Sequence, residues 1–183
     1  MLGYDWPRLH AALNDLPAAL LFVTVLFEIA AWITKRESLR TVALWTLWAG
    51  VIGGWAAVVA GLQAEDAIDH GEAIHELMEP HETLALFTMG VFTVVLAHKL
   101  IRRGNLPRLE ALLSRGVSFA GLLMLLWTAW LGGKMVFEHA AGVPTAALAP
   151  EIRDRGLGVK HHRTEGGAAD SAGAHEQGED HEH

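Results

Sequence analysis

Apolar residues in this 183-residue chain gather in long unbroken runs instead of recurring every third or fourth position. A helix that rests one side on water carries a polar stripe. Four segments carry none: Leu16–Thr34, Thr41–Leu62, Thr83–Ile101 and Val117–Phe137. A bilayer core about 30 Å thick takes about 20 helical residues to cross, so each run predicts a membrane span. Inside them only Glu28, His98, Lys99 and Lys134 can ionise. The pattern predicts an all-α fold, an integral membrane four-helix bundle over residues 1–143, with a disordered acidic, His-rich tail over 144–183.

Local signals suggest the helix ends. Asn14-Asp15-Leu16-Pro17 places capping groups and a proline ahead of span one, and Glu79-Pro80 does the same ahead of span three. Gly104-Asn105-Leu106-Pro107 breaks the chain after span three. Trp6, Trp32, Trp127 and Trp130 suit membrane interfaces. No cleavage pattern follows the first span, which reads as a retained helix and not as a signal peptide. Gly50, Gly54, Ala57 and Gly61 form a small-residue stripe in span two, suited to packing inside the bundle or to a homodimer face.

Charge orients the bundle. Lys35, Arg36 and Arg40 follow span one; Lys99, Arg102, Arg103, Arg108 and Arg115 surround the turn after span three; the turn between spans two and three has no lysine or arginine. Basic loops stay cytoplasmic. The expected placement is therefore a multi-pass protein of a bacterial inner membrane with both termini periplasmic.

The composition narrows the chemistry. A net charge of −7 disfavours nucleic acid as a partner. With no cysteine, disulfides, thiolate metal sites, iron–sulfur clusters and covalently attached haem are excluded. Neither a nucleophile–base pair nor a phosphate loop is present, so nothing suggests a hydrolase. What remains is imidazole and carboxylate, most of it at the outward face. The 65–82 stretch carries Glu65, Asp66, Asp69, Glu72, Glu76, Glu79 and Glu82 with His70, His75 and His81. On a helix, Asp66/His70, Glu72/His75 and His75/Glu79 would share faces. His70, His75, Glu79 and Glu82 are thus candidate ligands for Zn²⁺ or Cu²⁺; a solvated acidic loop is the plainer alternative.

An antiparallel bundle also brings His10, His81 and His139, from three helix ends, to this face. Such histidines could surround a metal ion, or two could clamp a haem iron axially, with Glu82 and Glu138 as orienting carboxylates. Nearer the opposite face, Glu28 is costly in lipid and is expected to pair with His98, while Lys99 snorkels to the headgroups. The tail holds His161, His162, His175, His181 and His183, suited to transient metal capture or to simple solvation.

Three features carry a family resemblance: His10 before Pro17; the run His81-Glu82-Thr83-Leu84-Ala85-Leu86; and Gly132-Gly133-Lys134-Met135-Val136-Phe137-Glu138-His139-Ala140-Ala141-Gly142-Val143. Together they resemble the bacterial four-helix membrane proteins of domain-of-unknown-function family 2231, over about residues 8–143. The resemblance implies a fold and a topology, without an established activity. His70 falls where such proteins often carry a histidine. A second histidine usual before the proline is replaced here by Asn14-Asp15-Leu16, and Ala140 stands where glycine is usual. The histidine placement itself points first to an electron-transfer module in which His81 and His139, or His10, ligate haem b or a transition metal, with a quinone or periplasmic redox protein as partner. The alternatives are a Zn/Cu-handling protein, and a non-catalytic subunit of a larger membrane complex or homo-oligomer.

Overall fold

The computed structural model describes residues 5–68, 71–102 and 106–156, and its helices outrun the apolar runs that predict them. They are α1 (Trp6–Thr34), α2 (Glu37–Glu65), α3 (Glu72–Ile101) and α4 (Arg108–His139), all four long and apolar enough to cross a membrane. The chain divides into two compact units at Val143–Pro144.

Two expected helix starts are interior positions. Asp5 is the true N-cap of α1, its Oδ1 accepting from the Arg8 N–H at 3.2 Å with Pro7 in the first turn, and Pro17 lies inside the helix. Likewise α3 starts after Gly71, and Pro80 lies inside it. A proline removes one hydrogen bond from a ladder that both sides of the helix otherwise maintain. The polar first turns of α1 and α3 have no hydrophobic signature because they project beyond the apolar band, and the acidic 72–82 stretch is therefore helix rather than loop.

Helices α1 and α2 pack together most extensively, as do α3 and α4; α2–α3 and α1–α4 contacts close the ring. Hence α1 and α3 stand diagonally opposite. The core runs along the axis through Leu21, Val25, Leu47, Val51, Met89, Phe92, Val95, Leu96 and Leu122. The outer surface is apolar as well, with Trp45, Phe87 and Val94 more than 60 % exposed. A bundle greasy inside and out is built for lipid.

The small-residue stripe of α2 is used inside the bundle. Gly50 lies against Leu21 of α1 and Gly54 against Met89 of α3, with Ala57 buried between helices. These glycines let the backbones approach to side-chain depth.

The first part of the tail expected to be disordered takes helical form. Thr145–Gly156 form helix α5, its first turn closed by Ala147 and Leu148 N–H groups donating to the Pro144 carbonyl. The alanine-rich start 145–149 favours helix strongly enough to outweigh the low hydrophobicity that pointed to disorder. Residues 157–183, with the five tail histidines, lie outside the described residues.

Candidate functional site

The two ends of the bundle differ sharply in charge. The basic end carries the 35–36 turn, the end of α3 at Arg102 and the start of α4 at Arg108; the acidic end carries the starts of α1 and α3 and the ends of α2 and α4.

At the basic end the expected pairing changes partners. Glu28 is 6 % exposed, and its Oε1 accepts from Lys99 Nζ at 2.5 Å across the bundle from α1 to α3. Lys99 does not snorkel to the surface. His98 instead faces Glu110 of α4, Nε2–Oε2 3.3 Å, beside the Arg102–Glu110 pair. The exchange has a simple cause: a buried carboxylate is stabilised better by a fixed ammonium than by an imidazole that is charged only when protonated.

At the acidic end two histidines occupy matching situations. His10 Nδ1 lies 2.8 Å from the Ala57 carbonyl oxygen of α2. His81 Nδ1 lies 3.0 Å from the Thr128 carbonyl oxygen of α4. A carbonyl only accepts, so each Nδ1 carries the proton and donates it, which leaves Nε2 as the nitrogen with the free lone pair. Both rings are half-buried.

Each ring reaches a carbonyl already engaged within a helix because a glycine lies one turn further on. A Cβ at Gly61 would come 3.0 Å from His10 Cε1 and Nδ1, and one at Gly132 would come 3.1 Å from His81 Cε1. A larger residue would press on the ring and force it to shift. Gly61 was legible in the sequence only as part of a packing stripe and Gly132 only as part of a motif; neither pointed to a histidine.

The remaining candidates are placed less suggestively. His139 is the last residue of α4 and is exposed. His75 and Glu79 are exposed and face each other at 3.9 Å on α3. Glu82 meets Glu65 at the end of α2, and Glu138 pairs with Lys134 at 3.7 Å. His70 lies outside the described residues. Among the described residues no three histidine or carboxylate side chains converge as a metal ion would need.

His10 and His81 thus each offer one imidazole nitrogen, a donor set of two. On α2, Ala57, whose carbonyl holds His10, is buried, as are Ala60 and Ala64 further along the helix.

No curated protein and no solved structure matches the chain. A family model described as "Predicted membrane protein (DUF2231)" matches residues 7–145, the span that holds all four long helices and both anchored histidines. The chain belongs to this family of membrane proteins.

Proposed function

We propose that this protein is a membrane electron-transfer module that holds haem b between His10 and His81. The observation that carries the reading is the pair of matched imidazoles. Each is fixed through Nδ1–H to a carbonyl of the neighbouring helix, the arrangement that orients a histidine and raises the basicity of its ligating nitrogen. When bound, haem supplies one-electron redox chemistry. The chain's own share is to present two imidazoles through Nε2 and to keep their rings from turning. His139, exposed at the end of α4, lies apart from that fixed geometry and is not needed for it.

The basic loops support placing the 35–36 and 102–108 turns in the cytoplasm of a bacterial cell. The histidine pair then faces the periplasmic side, as do both termini. A quinol in the bilayer would be the electron donor and a soluble redox protein outside the membrane the acceptor.

The test is the difference spectrum, dithionite-reduced minus oxidised, of the full chain purified in mild detergent. The wild type should show the bands of haem b. His10→Ala and His81→Ala should each lose most of them, whereas His139→Ala should keep them. A colourless wild-type protein, or full haem retention in both single variants, would contradict the reading.

A further inference from the structure

The matched settings of His10 and His81 extend through the whole bundle. His81 follows His10 by 71 positions (81 − 10), and the same offset relates Ala57 to Thr128 and Gly61 to Gly132. It also relates Gly50 to Gly121, whose missing Cβ atoms face Leu21 and Phe92 respectively, themselves 71 apart. Helices α2 and α4 begin at Glu37 and Arg108, again 71 apart.

Burial follows the same rule. The buried residues of α4, namely Ser114, Ser118, Gly121, Leu122, Thr128 and Leu131, correspond in turn to Ala43, Leu47, Gly50, Val51, Ala57 and Ala60, all buried in α2. In α3, Thr88, Phe92, Val95 and Leu96 correspond to the buried Pro17, Leu21, Thr24 and Val25 of α1. Even the buried ion pair obeys it, since Lys99 is the counterpart of Glu28. The first two helices and the second two are thus equivalent hairpins. Each hairpin has two helices, so both start at the same end, and the operation relating them is a two-fold axis along the bundle, a parallel repeat.

On this basis, and resting on the haem reading above, we infer that His10 and His81 are equivalent axial ligands. Both faces of the iron are then occupied by protein, and the site is a dedicated electron carrier with no open position for oxygen or another small ligand. Each half supplies the same four parts: a histidine, the carbonyl that holds its Nδ1–H, a glycine one turn beyond that carbonyl, and a small residue at the next inward layer (Gly50 or Gly121). An asymmetric haem of the oxygen-binding kind needs one firm ligand and one vacant or weak side, and nothing in two equivalent halves supplies that difference. With His10 and His81 as its two protein ligands, a bound haem would supply one-electron chemistry, taking an electron from a quinol-class donor and passing it to a one-electron acceptor protein.

The test exposes the full-length, detergent-purified, dithionite-reduced protein to carbon monoxide, and records the electron paramagnetic resonance spectrum of the oxidised form. The expected result is a low-spin ferric signal and a reduced spectrum that carbon monoxide leaves unchanged. His10→Ala and His81→Ala samples supplied with haem should both become carbon monoxide-binding, and to a similar extent. A wild-type spectrum that shifts with carbon monoxide, or a response in only one of the two variants, overturns the inference while leaving haem binding intact. A wild type without haem overturns the haem reading and the inference together, so the two failures are distinguishable.

Discussion

The imidazoles of His10 and His81 are held by main-chain carbonyls, and Gly61 and Gly132 leave room for the rings. Gly61→Ala would bring a methyl group 3.0 Å from His10 Cε1, tighter than ordinary van der Waals contact. Haem content should fall several-fold in Gly61→Ala and in Gly132→Ala, with helicity by circular dichroism unchanged. Full occupancy in both variants would show that the carbonyl anchors are dispensable. At the end of α4 a residue works against its own backbone. Ala140 is the C-cap with φ 55°, in the left-handed region, where a Cβ costs about 1 kcal/mol or more. Ala140→Gly should therefore stabilise the protein by about 1 kcal/mol, seen as a higher Tm in detergent. A lower Tm would contradict the strain argument.

At the scale of elements, α1 and α2 come closest at Gly50, where an added Cβ would meet Leu21 Cδ2 at 2.8 Å and the Leu21 backbone nitrogen at 3.3 Å. The side chain can turn aside but the backbone cannot. Gly50→Ala should cost about 1–3 kcal/mol through overpacking. Gly90, with nothing within 4 Å, is the control: Gly90→Ala should be neutral or slightly stabilising, as alanine favours helix over glycine. Chemical denaturation of both variants in the same detergent compares them, and equal stabilities would refute close approach at Gly50. The spans themselves were legible because a bilayer imposes long apolar runs. Their ends were not. Pro17 and Pro80 resemble helix starts, yet the caps lie earlier, at Asp5 and Gly71, in polar turns beyond the apolar band where hydropathy is silent.

Across the whole molecule, two pairs of equivalent residues stand out, His10 and His81, each on its own carbonyl, and Glu28 and Lys99, which meet across the bundle. The second pair breaks the symmetry by charge. Two like halves would set Glu against Glu or Lys against Lys, so the ion pair favours association of unlike halves, a registry role of the kind best attested for buried polar groups. Lys99→Ala should cost about 3–5 kcal/mol because it leaves a buried carboxylate uncompensated. Glu28→Lys combined with Lys99→Glu should recover most of the loss seen in either reversal alone, as judged by Tm and by monodispersity on size exclusion. A double variant no better than the single ones would remove the pairing argument. The sequence exposed Glu28 as costly but named the wrong partner, because depth along a helix does not reveal which side chain crosses the axis. From topology alone His10, His81 and His139 formed a set of three, with His81 and His139 put first. Choosing two of them required seeing which rings are anchored, although the 71-residue offset between His10/Gly61 and His81/Gly132 was already present in the sequence.

The central claim is that these two histidines hold one haem, and haem content per chain tests it most directly. Pyridine haemochrome analysis of the purified full-length protein, set against protein concentration from amino-acid analysis, should give one haem b per chain, falling to none in the double variant His10→Ala/His81→Ala. A wild type with no haem, or a double variant that retains it, would contradict the account.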